Sequence, residues 1–329
     1  MNPIHLTSAA PGSAEYLKAT AGMITASQAA SVLCPGEPGV YGTPMDVYVR
    51  LRQGIEGKIE EPEPDEPEHD DEPEDEDMLV ESSERAELSW GLDSEPMHKS
   101  LLTKYAKLHI ADLNGTYRDA EIPWLGATPD GMVLQQPEDE PGILELKAPT
   151  DGGRRLWAAG PPKGYIIQAN VQMRVMRADW GVVSALIPPK PRWERVYNSP
   201  EMQEFIITGL TRFMEDHVLP GVPPPITGSS RDFEALKKLF PDSERKVVSL
   251  SPQGIENAKK LREARKAKTL WEKEVERLQA PLIIEMGTAE YAHLPDGTVL
   301  KYATQLKNMK AKEAHVQKSR PMTFVKEIK

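Results

Sequence analysis

Between Glu60 and Asp77 the chain reads EEPEPDEPEHDDEPEDED, thirteen carboxylates with no lysine, arginine or aliphatic side chain. The charges repel one another, the prolines break helix and strand alike, and nothing in the run can be buried. The segment is expected to be disordered, so any fold has to be assembled from the chain on either side of it. The same run explains the overall charge. The total is −11 with thirteen of the negative charges here, which leaves about +2 for the rest. An acidic total of this origin does not argue against a polyanionic partner such as nucleic acid.

Residues 1–22 are small and polar and read as a flexible N-terminal arm. Residues 23–55 hold two helices. ITASQAASVL has a capping hydroxyl before an alanine-rich run, and TPMDVYVRLRQG has Thr43 as N-cap, Pro44 at the first helical position and Gly54 at its end. The acidic insertion spans 56–83. From Glu84, ERAELSWGLDSEPMHKSLLTKYAKLH places Leu88, Leu92, Leu101, Leu102 and Tyr105 at helical spacing, with Pro96 kinking the helix or starting a second one.

Short strand-like runs follow, AEIPWLGATPD, GMVLQQ and GILELKAP, and the turn formers PEDEPG join the last two as a hairpin. KGYIIQANVQMRVMRA reads as an amphipathic helix, WGVVSALIP as a buried strand, and SPEMQEFIITGLTRFMEDHV as a helix that stops at PGVPPP. This order predicts an α/β (α+β) core over 84–240, a mixed sheet flanked by helices. Residues 241–329 form a separate appendage, a charged helix followed by the hairpin AEYAHLPDGTVLKYATQ. The single cysteine, Cys34, excludes an internal disulfide and four-cysteine zinc or iron–sulfur sites. With no bilayer-length apolar run and no basic-then-apolar leader, a cytoplasmic protein with no membrane partner is expected.

The chemistry concentrates between Gly126 and Pro149, GATPDGMVLQQPEDEPGILELKAP. In a strand, residues two apart share a face, so Glu145 and Lys147 point one way while Leu144 and Leu146 enter the core. Asp130 precedes the partner strand of the hairpin and can meet Glu145 across the sheet. Two carboxylates and an amine suit a hard divalent cation with a lysine beside its bound water, the equipment of phosphodiester hydrolysis. Alone, TPDG is an ordinary turn and Glu-x-Lys an ordinary surface pair. Together and in this order they point to a site.

Pro129-Asp130 followed by Glu145-Leu146-Lys147 resembles the PD-(D/E)xK nuclease signature. Four further segments, in order, resemble the YqaJ-type, lambda-exonuclease-like branch of viral recombinases: ITAS at 24–27, YGTPMDVYVRLRQG, LSWGLDSEP and YIIQANVQM. The likeness covers roughly residues 23–220, and its ordered motifs are more specific than the triplet. GTAEYAHLPDGTVLKY is similar to the tail of longer members.

The resemblance implies a restriction-endonuclease-like fold and a Mg²⁺ cofactor, with Mn²⁺ able to substitute. Asp130 and Glu145 would be the principal ligands, with the Leu146 carbonyl as a third. Lys147 would position or help deprotonate the attacking water, Glu95 would help hold metal directly or through water, and Gln168 would support the site. Ordinary helix-dipole placement beside Pro96 also explains Glu95. The family's further acidic ligand falls on Asp119 or Glu121; strand register decides between them, and Asp119 is the preferred candidate. Ser27, Lys18 and Gln172 are DNA-binding candidates, a polar helix face being the plainer account of Gln172. Relatives grip a 5′-phosphate with an arginine and the ITAS-like serine. Here the arginine position falls near Thr20, with only Lys18 close, and lysine is the poorer bidentate ligand, so a strict 5′-phosphate preference is not expected.

The implied function is a phage-type recombination exonuclease that digests linear double-stranded DNA from 5′ ends in a bacterial host cytoplasm. It would leave 3′ single strands for a single-strand annealing protein, and the resemblance implies a homo-oligomer, a ring trimer. An endonuclease or single-strand nuclease, or a non-catalytic DNA-binding scaffold, would share the fold; the intact Asp130, Glu145 and Lys147 speak against the scaffold.

Replacing 60–77 by a neutral Gly/Ser linker is expected to leave the fold intact, as circular dichroism and thermal melts would register. If the tethered polyanion competes with DNA, the replacement tightens DNA binding at low salt, and the difference shrinks as salt rises. Equal binding at every ionic strength would make the run a solubilising spacer.

Overall fold

A computed structural model of the chain describes residues 2–58, 76–134, 140–149 and 153–303, with the side chains of 76–89 and 153–154 excepted. Contacts divide it into two compact units, Met1–Pro241 and Asp242–Lys329. In the first, β1 (Ile4–Thr7) and α1 (Ala14–Ala19) precede β2 (Ile24–Thr25), α2 (Ala26–Leu33) and α3 (Pro44–Ile55). The long helix α4 (Glu76–Ala106) leads to the short strands β3 (Ile110–Ala111), β4 (Thr116–Arg118), β5 (Leu125–Ala127) and β6 (Gly131–Val133). Then come β7 (Gly142–Lys147), α5 (Gly153–Leu156), α6 (Lys163–Met176), β8 (Trp180–Ala185) and β9 (Arg192–Tyr197). The unit closes with α7 (Pro200–Phe213), a π-helical turn at Met214–Val218 and α8 (Ser230–Leu239). The second unit holds α9 (Pro252–Met286) and an antiparallel hairpin of β10 (Tyr291–His293) and β11 (Val299–Lys301).

The strands of the first unit form two sheets. One has the order β3-β6-β7-β8-β9, with β7 and β8 parallel and the other neighbours antiparallel. The other has the order β1-β4-β5-β2, parallel only between β2 and β5. Helix α6 lies between them. Ile167, Val171 and Val175 join a core with α2, α3 and β5, whereas Tyr165, Ala169 and Met173 pack with Ile143, Val183 and Ala185 of the five-stranded sheet. The helix expected to be amphipathic is therefore buried on two faces, which explains its scarcity of charge. On the opposite face of the five-stranded sheet, Leu144, Leu146, Trp180 and Val182 pack against Leu102 of α4.

Local sequence explains most boundaries. The Thr43 hydroxyl accepts the Asp46 N–H at 3.2 Å, and Asp46 Oδ2 accepts the Thr43 N–H at 2.9 Å, a reciprocal cap ahead of Pro44. Gln28 similarly accepts the Thr25 N–H at 3.2 Å at the start of α2.

Three expectations need correction. Residues 1–22 are not a flexible arm: Ile4–Thr7 pairs antiparallel with β4, and Ser13 caps α1. A polar strand needs only ladder partners, which composition does not reveal. Helix α4 starts at Glu76, so helical order begins before Glu84; residues 59–75 of the acidic insertion lie outside the described residues. Among its described side chains the buried stripe is Ser94, His98 and Leu102, while Leu92 and Tyr105 are exposed; Leu88 lies outside the described side chains. Strand β9 and helix α8 had no reading in the sequence. Among the described residues, no helix is long and apolar enough to cross a membrane.

Gly142 opens β7 where a Cβ would lie 2.6 Å from the buried ring of Trp180, whose Nε1 donates to the Glu140 carbonyl at 3.0 Å. Gly142→Ala should therefore destabilise the protein by about 1–3 kcal/mol through overpacking. Leu144→Ala, in the same layer, should cost about 2–5 kcal/mol through a cavity. Urea denaturation of both variants checks the order, the cavity being the larger loss.

Candidate active site

The link Thr128-Pro129-Asp130 carries the chain from β5, in one sheet, to β6, in the other. Asp130 is fixed there by two backbone bonds to β7. Its N–H donates to the Leu144 carbonyl at 3.1 Å, and its Oδ2 accepts the Leu146 N–H at 2.6 Å. Glu145, between those residues, is 2% exposed. Its Oε1 lies 2.5 Å from Lys147 Nζ, and its Oε2 accepts from Gln172 Nε2 at 2.5 Å. Lys147 Nζ also donates to Gln168 Oε1 at 3.0 Å and sits 4.9 Å from the centroid of the Tyr165 ring. The Tyr165 hydroxyl is 2.8 Å from that of Tyr41, an exposed residue of the α2–α3 loop. Tyr165, Gln168 and Gln172 are three and four residues apart, so one face of α6 supplies all three.

The electrostatics follow from burial and like charge. Burial, and then the Glu145 carboxylate, pushes the Asp130 carboxyl well above its usual range, although Lys147 and the Leu146 N–H pull the other way. Glu95 contributes to the same upward push. Its own carboxyl is raised by burial, an effect eased by Lys99 and reinforced by Glu145. Burial disfavours the Lys147 ammonium, but Glu145 and Asp130 outweigh it and hold the pKa above the ordinary lysine value. Three carboxyl groups thus share one field with two half-buried ammonium groups, Lys147 and Lys99, and the second is also paired with Asp112 at 2.9 Å. Such a site is short of positive charge, and its oxygen donors fit a hard divalent cation. Among the described residues, no three His, Cys, Asp or Glu side chains already surround a single point. Asp130 and Glu145 are the pair that converge.

The expected residues fare differently. Asp130, Glu145, Lys147 and Gln168 are brought together, and Leu146 lends its N–H to Asp130. Gln172 is corrected: it is fully buried and hydrogen-bonds Glu145, so it has no surface to offer DNA. Asp119 is corrected as well. Its Oδ1 accepts the N–H groups of Glu121 and Ile122 at 2.8 and 2.9 Å, and its Oδ2 lies 3.1 Å from Arg174 Nε. Glu121 pairs with Arg174 and Arg177 at 2.7 and 3.2 Å. The strand pairing explains this: the Asp119 N–H bonds Leu125 at the start of β5, whereas Asp130 follows the end of β5.

Ser27 is exposed in the first turn of α2 and Lys18 is exposed on α1. Thr20 is buried, its hydroxyl donating to the Tyr16 carbonyl at 2.9 Å. Arg50 of α3, which no sequence motif marked, reaches this corner. It donates to the Thr20 and Met23 carbonyls and, at 2.6 Å, to Gln28 Oε1. Tyr165 was also missed as a site residue, although its spacing from the two α6 glutamines could have found it.

Residues 15–179 match the YqaJ-like viral recombinase domain. No curated protein matches the chain. Among solved structures, an alkaline exonuclease from Laribacter hongkongensis is 18% identical with a TM-score of 0.46, covering 61% of this chain and 91% of that one. The same protein in complex with dAMP gives 18% and 0.47, covering 68% and 96%. A phage related exonuclease from Haemophilus somnus 129PT gives 12% and 0.37, covering 59% and 92%. Since the family match spans half of the sequence and contains the whole carboxylate–lysine cluster, the chain belongs to the YqaJ-like viral recombinases.

Proposed function

We propose that the protein is a DNA exonuclease of phage-type recombination. It depends on Mg²⁺, with Mn²⁺ substituting, and digests one strand of linear duplex from the 5′ end to leave a 3′ single strand for an annealing protein. The observation that carries this reading is the convergence of Asp130, Glu145 and Lys147 in a site short of positive charge. Asp130 and Glu145 would hold the cation, with the Leu146 carbonyl, water and Glu95 completing its shell. When bound, the cation supplies Lewis acidity toward the phosphoryl oxygen and acidifies water.

The chain's own residues do the rest. Gln172 fixes the Glu145 carboxylate, leaving its other oxygen to Lys147. Gln168 and the Tyr165 ring aim the Lys147 amine. In the metal-free protein two carboxylates hold the Lys147 pKa above the ordinary lysine value. The role of Lys147 is to orient or help deprotonate the attacking water beside the developing phosphoryl charge. The Arg50 terminal nitrogens are spent on Thr20, Met23 and Gln28, which supports a weak 5′-phosphate preference.

Asp130→Ala and Glu145→Ala should each lower Mg²⁺-dependent digestion of linear duplex by roughly 10³-fold or more, and Lys147→Ala should do so while metal binding persists. Covalently closed circles should survive the wild type. Near-normal digestion by a folded variant would remove that residue from the site, and rapid nicking of closed circles would indicate an endonuclease.

The raised Asp130 pKa has a thermodynamic consequence. A carboxyl whose folded pKa lies above its unfolded value contributes stability in full below the unfolded value, and that stability is lost as pH rises through the folded one. Near neutrality the metal-free protein therefore lacks stability that a neutral side chain at position 130 would retain. Asp130→Asn should raise the melting temperature measured in EDTA at neutral pH while abolishing cleavage, and the difference should close on acidification toward the ordinary aspartate pKa.

A further inference from the structure

The buried stripe of α4 consists of Ser94, His98 and Leu102, and its middle member is chemically out of place. His98 is 1% exposed, and its Nε2 lies 2.8 Å from Ser184 Oγ. The Ser184 hydroxyl donates to the Arg192 carbonyl at 3.1 Å, so it receives from the ring and Nε2 carries the proton. Burial pushes the His98 pKa down to about 4, leaving a neutral donor at working pH. A leucine would fill this space with no polar group to desolvate. What the imidazole adds is direction, a single bond that ties a helix to a strand at one height.

That height is significant. Ser184 stands in register with Leu146, between Glu145 and Lys147 in sequence. One helical turn before His98 is Glu95, whose carboxyl feels Glu145 and is felt by Asp130. Pro96 lies inside the helix between them and has no N–H to give the carbonyl four residues earlier, so the turn carrying Glu95 is short of a helical bond.

We propose that His98 is a positioning residue. Its hydrogen bond to Ser184 sets the height and rotation of α4 on β8, and so keeps the Glu95 carboxylate turned toward Asp130 and Glu145, where it takes part in binding a divalent cation. The inference rests on the reading of Asp130 and Glu145 as a cation site.

The test uses the full chain and two readouts: calorimetric Mn²⁺ binding without DNA, and Mg²⁺ titration of linear-duplex digestion. His98→Ala and Ser184→Ala should weaken Mn²⁺ binding about 10-fold or more and raise the half-maximal Mg²⁺ concentration in parallel. The rate at saturating Mg²⁺ should change less than about threefold. His98→Gln, which keeps a donor, should recover most of the loss. In a Glu95→Gln background, His98→Ala should add less than about twofold. If His98→Ala fails to fold, Ser184→Ala and His98→Gln carry the test. Wild-type Mn²⁺ affinity in folded His98→Ala or Ser184→Ala would overturn the proposal, as would an undiminished effect in the Glu95→Gln background. Unchanged binding by Glu95→Gln itself would overturn it while leaving the cation site standing. Unchanged binding by Asp130→Ala would overturn the site and the proposal together.

Discussion

A carboxylate that is 2% exposed, in the central strand of a sheet, is the constraint around which the first unit is arranged. Glu145 cannot be left unpaired at that depth, because burying a charge without partners costs several kcal/mol. Its two oxygens take Lys147 from the same strand and Gln172 from α6, and Asp130 is pinned against the neighbouring backbone. Each partner then imposes a demand of its own. Lys147 needs Gln168 and the Tyr165 ring, and both glutamines need α6 at a fixed rotation. Fixing α6 requires something to press on its far face, which the sheet of β2 and β5 and the helix α2 provide. The architecture reads outward from one acid.

Stability and chemistry oppose each other at this site. The features that raise the Asp130 and Glu95 pKa values, burial and the nearness of like charge, weaken the metal-free protein. They are the same features that favour a dication.

Much of this was legible in the chain, wherever a local rule governs. The Thr43-Pro44 start of α3, the hairpin of β6 and β7, and the same-face pairing of Glu145 and Lys147 follow from capping chemistry and from strand period. What the sequence did not disclose depends on partners distant in the chain. Asp119 and Asp130 are both acids beside short strands, and only the pairing of β4 with β5 shows that they lie at opposite ends of one strand. Gln172 looks like any polar helix residue until the fold sets it, fully buried, against Glu145 of β7 and the Thr128 carbonyl. On α4, the period pointed to leucines, while the buried stripe includes a serine and a histidine, because Ser94 donates to the Gly91 carbonyl of its own helix and His98 finds Ser184 on β8.

Helix α6 acts mechanically as a shim between two plates. It is tight on both sides: on one, Tyr165, Ala169 and Met173 are buried against the five-stranded sheet, and on the other a Cβ on Gly164 would come within 2.5 Å of the Gly39 carbonyl oxygen and Ile167, Val171 and Val175 are fully buried with α2, α3 and β5. A change in thickness on that remote face cannot be absorbed locally, since close-packed interiors transmit displacement. It passes through the helix to Gln168 and Gln172, and so to the lysine and the carboxylate they hold. The latitude for sequence drift is therefore distributed unevenly. Residues of α6 that never approach the chemistry are held nearly as strictly as those that perform it.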